Sequence, residues 1–318
     1  RRIGTPVLAL DHMDRLLSGY GVDPQITALV NRYEIWVIPV CNPDGYDYVF
    51  TTNNLWRKNR RNNGGGTFGV DQNRNYPFGW SAPCAGSTAT SNETYKGPSA
   101  GSEPETQAIV ALSNDRNFDK VIDYHSYGQE TLYSYLCLTH PFTTWLGQEA
   151  AAIATASGYL GATRAPSAEG EEEEDQLARR GSYAFLTEIG TDFQPTYASA
   201  QAEAAQVWGG TLFMLNRGIP VWGHVTSAST GLPVNASVSY VGVAFANGET
   251  NGSRGPFGRY HAFLPAGTYS ITYTAAGYQP ATRVAVVGAS GETVIDVALA
   301  PVCYANCDNS TSAPILNV

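Results

Sequence analysis

The sequence predicts an α/β protein with a mostly parallel or mixed sheet flanked by helices, followed by a small all-β sandwich. Continuous apolar runs of strand length at residues 33–40, 120–125 and 182–190 alternate with segments of helical periodicity, a pattern typical of strands buried on both faces. From residue 219 to 300, short segments of alternating polarity are separated by Gly and Pro. The 318 residues, 43% of them hydrophobic and 15% charged, are enough to bury a sizeable core.

The first half of the α/β region begins with a helix, predicted over residues 5–18 because apolar residues recur there at helical spacing. The run YEIWVIPV at 33–40 predicts a buried strand, and NPDGY at 42–46 predicts a turn at its exit. A polar, Gly-rich loop is expected over roughly 51–100.

The second half of this region begins at 102–113, SEPETQAIVALS, where a Ser and a Pro precede a helical pattern. KVIDYH at 120–125 predicts a second buried strand, and a helix is expected across 142–157. SYAFLTEIG at 182–190 predicts the third strand, and a helix follows in 200–216.

Near residue 217 the pattern of polar and apolar residues changes from helical periodicity to short alternating segments. Residues 1–216 are predicted to form the α/β domain and residues 217–300 a small antiparallel β-sandwich. Residues 301–318 are interpreted as a linker or tail. Because the sequence opens and stops abruptly, we expect a fragment cut at both ends.

Composition and charge exclude several classes of protein. The formal net charge of −9 argues against a nucleic-acid partner, which would need a basic face. The sequence contains no apolar stretch of about 18 residues that would span a membrane, and no signal peptide is visible. The five cysteines form no closely spaced zinc quartet, although Cys303 and Cys307 are close enough in sequence to pair. A surface rich in Asn, Ser, Thr, Gly and Tyr suits a secreted protein.

Reactive residues lie at the ends of two predicted strands. His125 ends the second strand and Glu188 lies near the end of the third. Ligands of open α/β sheets collect outside the carboxyl ends of the strands, so this pair is placed to share one crevice. Taken alone, a histidine at a strand end is more often structural than a ligand, and a single Glu there is equally well a paired core carboxylate.

The polar loop offers a second group of candidate residues. LWRKNRR and GVDQNRNYPFGW supply Arg57, Arg60, Asn73 and Arg74. The planar fork of a guanidinium matches the two oxygens of a carboxylate, so these residues are candidates for capturing an anionic group. The alternative is that the loop is solvated surface.

These stretches occur in an order that resembles the zinc carboxypeptidases of the A, B and T type, the M14 metallocarboxypeptidases. The resemblance covers most of residues 1–216 and is carried by YGVDPQITALVNRYEIWVIPVCNPDGYDY, LWRKNRR, GVDQNRNYPFGW, ETYKGPSAGSEPETQAI, VIDYHSYGQETLY and FLTEIG. The second predicted domain is similar to the transthyretin-like domain, or carboxypeptidase regulatory-like domain, of such enzymes, and the similar segment is GRYHAFLPAGTYSITYTAAGYQP. The tail CDNSTSAPILNV is similar to the start of a dockerin-like calcium loop.

The resemblance implies a role for each matching residue of the reaction centre. His125 matches a zinc ligand, and Glu188 matches the general base that activates the zinc-bound water. Arg57 matches the arginine that polarises the scissile carbonyl and holds the oxyanion. Zinc lowers the pKa of its bound water to about 7, and a nearby cation stabilises the developing negative charge.

The resemblance also implies how a substrate is held. Asn73 and Arg74 match the pair that grips the terminal carboxylate, and Tyr127 matches a tyrosine that lines the cleft. The family's specificity pocket falls near Glu173, where an acid favours Lys or Arg at the substrate's C-terminus. The alternative is that EGEEEED forms a solvated acidic loop. Counting back from Glu188 places Pro166 where the family carries a mobile tyrosine.

The sequence departs from the family at the metal site. The family's first two zinc ligands are a His and, three positions later, a Glu, but no such HxxE pair occurs in the chain. Ungapped counting from YGVDP places the missing Glu at Arg2 and the missing His before residue 1. A catalytic zinc takes three protein ligands, and His125 alone cannot hold it. Either an amino-terminal segment is missing, or an arginine replaces the carboxylate.

The resemblance therefore implies a secreted zinc carboxypeptidase that removes C-terminal residues from peptides by attack of an activated water. Because two ligands are missing, we expect no turnover from the chain as it stands. One alternative is a non-catalytic relative that binds the C-termini of peptides and proteins. Another is an adhesive or scaffold protein that acts through the β-sandwich. The sequence leaves the residue preference, the disulfide pairing and the oligomeric state open.

Overall fold

The structure is a computed structural model that describes residues 2–302 of the chain. The chain divides into two compact units. The first comprises the described residues up to 113 together with 118–217 and 245–249, and the second comprises 114–117, 218–244 and the described residues from 250 onward. Cys303, Cys307 and the dockerin-like tail lie outside the described residues. Within residues 2–302, no helix is both long and apolar enough to cross a bilayer.

Helices and short strands alternate up to residue 217. The helices are α1 (Gly4–Gly19), α2 (Pro24–Arg32), α3 (Pro43–Thr51), α4 (Pro104–Arg116), α5 (Thr143–Ala156), α6 (Glu172–Arg180) and α7 (Tyr197–Asn216). The strands are β1 (Asn62–Gly64), β2 (Thr67–Phe68), β3 (Lys120–Ser126), β4 (Glu130–Leu132), β5 (Thr163–Arg164) and β6 (Tyr183–Ile189), and a 3₁₀ turn spans Gln72–Arg74. The helices predicted at 5–18, 142–157 and 200–216 and the strands predicted at 120–125 and 182–190 are confirmed within a few residues.

The four-stranded sheet of the first unit is mixed, with the order β3-β6-β4-β5. β3 runs parallel to β6, whereas β4 is antiparallel to β6 and parallel to β5. All seven residues of β6 are buried, as its largely apolar sequence predicts. The expected α/β class is therefore confirmed.

Helices α1, α5 and α7 pack against one face of this sheet. In α1, Leu8, His12 and Leu16 recur every four residues and are buried, so they form one stripe along the helix. The helices and the end of β6 meet in one apolar cluster, formed by Leu8, Ala154, Tyr159, Ile189, Ala204 and Val207. This cluster fixes α1 beside the carboxyl end of β6, close to the candidate site.

The prediction of a buried strand at residues 33–40 is wrong. The segment has no strand assignment, and Trp36 and Ile38 are 44% and 41% exposed. A β-strand needs a neighbour for its backbone donors and acceptors, and a cavity separates this segment from β3. Without a strand in that gap, an apolar run of strand length stays outside the sheet.

The turn predicted at residues 42–46 is also wrong, because helix α3 begins there. Asn42 is the N-cap, and its Oδ1 accepts a hydrogen bond from the backbone N–H of Gly45 at 2.9 Å. Pro43 occupies the first helical position, where its missing N–H costs nothing. The Asn-Pro-Asp sequence that suits a turn equally suits the start of a helix.

The acidic loop considered for EGEEEED is wrong as well, because these residues begin the buried helix α6. Glu171 and Glu174 form a capping box at its start, and Gly181 ends it in the left-handed conformation with φ 66°. Acidic residues in the first turn and Arg179 and Arg180 in the last turn suit the helix dipole. Arg180 is fully buried and pairs with Asp175 at 2.9 Å.

The second unit contains two β-sheets. Its strands are β7 (Val221–Ser227), β8 (Ser237–Tyr240), β9 (Arg259–Ala262), β10 (Gly267–Thr274), β11 (Ala281–Val287), β12 (Thr293–Val294) and β13 (Val297–Leu299). One sheet has the antiparallel order β11-β10-β8, and β7 joins β12, β13 and β9 in the other. Tyr260 and Tyr273 join the sheets through a hydroxyl hydrogen bond of 2.7 Å. Because β12 and β13 run parallel to β7, the expectation of a wholly antiparallel sandwich is wrong.

Candidate functional site

His125 and Glu188 lie side by side at the carboxyl ends of β3 and β6. The parallel register pairs the two residues directly, and their Nδ1 and Oε1 atoms are 3.9 Å apart. Both side chains are about 10% exposed. The structure thus brings the two side chains together at one edge of the sheet, because paired residues of neighbouring strands project from the same face.

Asp123 orients the imidazole of His125. It lies two residues earlier on β3, and so on the same face, and its Oδ2 is 2.9 Å from Nε2 of His125. Burial raises the pKa of Asp123, but His125 and Arg2 together hold that pKa below its usual value. Asp123 was not among the residues predicted for the site, although the period of a strand places it on the same face as His125.

The guanidinium of Arg2 fills the space between His125 and Glu188. Its Nη1 lies 2.5 Å from Nδ1 of His125, and its Nη2 lies 3.6 Å from Oε1 of Glu188. Its Nε donates to the carbonyl oxygen of Ser126 at 2.8 Å. Burial lowers the pKa of Arg2, and the negative charge of Glu188 opposes that shift. This cation is the immediate neighbour of both candidate reaction groups.

Arg57 lies in the irregular segment after α3 and forms an ion pair with Asp71. The side chains of both residues are largely buried, at 13% and 5% exposed. Arg57 also lies near enough to Arg2 for the two positive charges to affect each other. The pair therefore presents a fixed guanidinium beside the His125–Glu188 crevice.

Asn73 and Arg74 both hold the carboxylate of Glu171. Nη1 of Arg74 lies 2.8 Å from Oε1 of Glu171, and Nδ2 of Asn73 donates to Oε2 at 3.0 Å. Burial lowers the pKa of Arg74, but Glu171, Asp71, Glu173 and Glu174 outweigh it and raise that pKa. The predicted pair of carboxylate-binding residues is thus adjacent and engaged with a carboxylate from the chain itself.

Glu172 and Glu173 occupy different surroundings. Glu172 lines the cavity, and burial together with Asp123 raises its pKa to about 8. Glu173 is 1% exposed, and neither of its oxygens has a hydrogen-bond partner among the described residues. Burial and the neighbouring Glu171 and Glu174 raise the pKa of Glu173 well above its usual value. Of the two, Glu172 is the one that the structure places on the cavity wall.

Tyr127 lies at the rim of this edge of the sheet. Its side chain is 49% exposed, and its ring packs edge-on against Phe193 with 4.7 Å between the centroids. The two adjacent aromatic rings form a small apolar surface just beyond the end of β3.

A cavity of about 450 Å³ is lined by several of these groups. Its apolar walls come from α1, α4, α7, β3 and the segment 33–40. Its polar end lies at the carboxyl end of β3 and includes Arg2, Arg57, Asp71, Asn73, His125 and Glu172. An apolar pocket with convergent polar groups at one end is the usual form of a site for a small or peptidic ligand.

The described residues do not fit the zinc ion that the resemblance implies. A catalytic zinc takes three protein ligands, and within residues 2–302 the metal-binding donor atoms converge in threes only at Cys84, Cys137 and Glu169. There the two cysteines form a disulfide and offer no thiolate, while Oε1 of Glu169 accepts the backbone N–H groups of Leu136, Cys137 and Leu138. At His125, the guanidinium of Arg2 takes the place of further ligands.

Comparisons with known proteins agree on one family. The sequence model described as zinc carboxypeptidase matches residues 1–212. Metallocarboxypeptidase A of Arthroderma otae is 38% identical over 144 residues, 43% of this chain and 34% of that protein. Carboxypeptidase A2 of Rattus norvegicus is 41% identical over 133 residues, 41% of this chain and 32% of that protein. The matches thus span about a third of the length of these relatives.

Solved structures agree at the level of the fold. The crystal structure of thrombin activatable fibrinolysis inhibitor superposes with a TM-score of 0.62 and 22% identity, covering 68% of this chain and 58% of that chain. Carboxypeptidase A from Helicoverpa armigera superposes with a TM-score of 0.58 and 22% identity, covering 67% of this chain and 57% of that chain.

Proposed function

The chain belongs to the zinc carboxypeptidase family over residues 1–212, and from that premise we propose that its first unit recognises peptides and proteins by their free C-terminal carboxylate. We further propose that the residues described bind such chains without hydrolysing them. Zinc is the metal expected of the family, but the donor set of residues 2–302 does not fit it.

The observation that carries this proposal is that Asn73 and Arg74 both bind one carboxylate. Each oxygen of Glu171 meets one donor, the amide of Asn73 or the guanidinium of Arg74. A guanidinium and an amide arranged in this way match the planar, two-oxygen shape of any carboxylate. A C-terminal carboxylate has the same shape and charge as the group now held there.

The rest of the site suits the remainder of a bound peptide. Arg57 lies on the cavity wall with its guanidinium fixed by Asp71, and in this position it can donate to a peptide carbonyl oxygen. The apolar part of the cavity offers space for side chains, and the adjacent rings of Tyr127 and Phe193 offer an apolar surface just beyond the end of β3. Glu172 adds a carboxyl group to the cavity wall, and because its pKa is raised to about 8 it offers a ligand a hydrogen bond rather than a full negative charge near neutral pH.

Hydrolysis of the terminal peptide bond is a second candidate, favoured by one observation. The carboxylate of Glu188 lies 3.9 Å from Nδ1 of His125. In that function Glu188 would take a proton from the attacking water and return it to the leaving amine. The position of Arg2 weighs against this candidate, because its guanidinium already contacts both residues.

A secreted location belongs to the same proposal. The disulfide between Cys84 and Cys137 supports it, since such bonds persist chiefly in oxidising compartments.

Fluorescence anisotropy with matched peptides tests the proposed recognition. Two labelled peptides of one sequence ending in Arg carry either a free carboxylate or a C-terminal amide. We expect the amide to bind at least about tenfold more weakly, a loss of about 1.4 kcal/mol. Equal affinity for the two peptides contradicts recognition of the carboxylate.

Mass spectrometry of the same peptides after incubation with added zinc separates binding from hydrolysis. We expect no release of the terminal Arg. Release that EDTA abolishes contradicts the non-hydrolytic proposal and supports the second candidate.

A further inference from the structure

Arg2 makes three contacts that together fix a positive charge at the centre of the site. Its Nη1 meets Nδ1 of His125 at 2.5 Å, its Nη2 meets Oε1 of Glu188 at 3.6 Å, and its Nε meets the carbonyl oxygen of Ser126 at 2.8 Å. A planar guanidinium donates in several directions at once. This cation is therefore oriented by the ends of both neighbouring strands.

The contact with His125 uses the lone pair that a metal ion would need. When Nη1 of Arg2 donates to Nδ1, the ring proton lies on Nε2, where Asp123 accepts it at 2.9 Å. A histidine binds a metal through a nitrogen that carries no proton. With Arg2 in this position, neither nitrogen of His125 is available to an ion.

The charges around the site also require a cation in this place. Glu188 is buried and Asp123 is partly buried, with 22% of its side chain exposed, and both carboxylates lie close to the guanidinium of Arg2. Buried carboxylates are costly unless a positive charge compensates them. Arg57 is already paired with Asp71, so Arg2 is the cation that directly contacts Glu188.

We propose that Arg2 is a resident cation that takes the place of the metal ion in this centre. The guanidinium contacts Nδ1 of His125 and the carboxylate of Glu188. It compensates the negative charges of Glu188 and Asp123, as a metal ion would, and it blocks the lone pair through which His125 would bind that ion. The centre formed by residues 2–302 is therefore metal-independent. This inference does not rest on the recognition of peptide C-termini and stands or falls separately from it.

Titration with Co²⁺, followed by its visible absorption, tests the exclusion of metal from this centre. We expect no His125-dependent binding by the unsubstituted protein up to roughly 100 μM Co²⁺. Arg2→Ala leaves Nδ1 of His125 and Oε1 of Glu188 as two neighbouring donors, so we expect it to bind Co²⁺ weakly but at least about tenfold more tightly than the unsubstituted protein, and the additional substitution His125→Ala to abolish that gain. Arg2→Lys keeps a positive charge in the site and is expected to exclude Co²⁺ as the unsubstituted protein does.

Measurement of bound zinc in the dialysed protein shows whether the proposal is overturned. One equivalent of zinc in the dialysed, unsubstituted protein that is lost in His125→Ala overturns the proposal, as does Arg2→Ala binding Co²⁺ no better than the unsubstituted protein. Thermal denaturation establishes whether Arg2→Ala is folded. If it is not, the unsubstituted protein and His125→Ala decide: equal metal uptake supports the proposal, and uptake that depends on His125 overturns it.

Discussion

The carboxylate of Glu171 lies 2.8 Å from Nη1 of Arg74, so the chain places its own acid where the proposed ligand's carboxylate would bind. Glu171 also takes part in the capping box that starts α6. The acid therefore has a structural role in the helix and competes for the proposed anion site. Both roles are open to test by changing this one residue.

Glu171→Gln is expected to tighten binding of the free-acid peptide by about tenfold, because the competing charge is removed while the size is kept. The free energy of unfolding is expected to fall by about 1–3 kcal/mol, since Arg74 is left buried without its partner. Anisotropy and urea denaturation measure the two effects. The exposed Glu93→Gln serves as control, and weaker binding by Glu171→Gln than by this control contradicts the competition.

Arg57→Ala is expected to weaken binding of the free-acid peptide by tenfold or more, because the guanidinium facing the cavity is lost and Asp71 is left unpaired. Arg60 is a matched control. It lies three residues away and stacks on the ring of Tyr48, with 3.7 Å from its Cζ atom to the ring centroid. Equal losses in Arg57→Ala and Arg60→Ala would mean that Arg57 has no particular part in binding.

The raised pKa of Glu172 predicts that the free energy of unfolding decreases as the pH rises. Burial and then Asp123 raise its pKa to about 8 in the folded protein, from the ordinary value of 4.5 in the unfolded chain. Between these values the folded state holds a proton that the unfolded state has lost, so stability decreases as the pH rises. The slope is at most about 1.4 kcal/mol per pH unit.

Urea denaturation of Glu172→Gln between pH 5 and 8 measures this contribution. The variant cannot ionise at this position, so its stability is expected to fall less steeply with pH than that of the unsubstituted protein. Parallel curves for the two proteins would show that Glu172 is not held protonated by the fold.

The disulfide between Cys84 and Cys137 closes a loop with a sequence separation of 53. Chain-entropy arguments assign about 4 kcal/mol to a loop of this length. The double variant Cys84→Ser, Cys137→Ser is expected to lose about that much stability in urea denaturation. Cys41→Ser removes an exposed free cysteine and is expected to change stability by less than about 0.5 kcal/mol. A similar effect in both would contradict the assigned role of the disulfide.

Local sequence predicted the parts of the site that depend on strand direction. His125 and Glu188 were expected to meet because two apolar runs end in them, and parallel strands bring their carboxyl ends to one edge. Asn73 and Arg74 were selected for the chemistry of their side chains, and the structure places them together on one carboxylate. Their functional roles remain predictions.

The features that the sequence did not predict depend on distant partners. Residues 33–40 have the composition of a strand, but pairing requires a neighbour, and a cavity lies between them and β3. The acidic run of α6 is buried because Arg74 and Arg180 compensate Glu171 and Asp175. The position of Arg2 could not be read from its neighbours in sequence, since its contacts are more than 120 residues away.

The affinity for the free-acid peptide, measured with EDTA and again with saturating zinc, tests the central claim most directly. Because Arg2 occupies the centre and Asn73 and Arg74 supply the carboxylate site, the dissociation constant is expected to be the same in both conditions, with the peptide recovered intact. Binding that EDTA abolishes, or cleavage that zinc restores, would contradict a metal-independent recognition site.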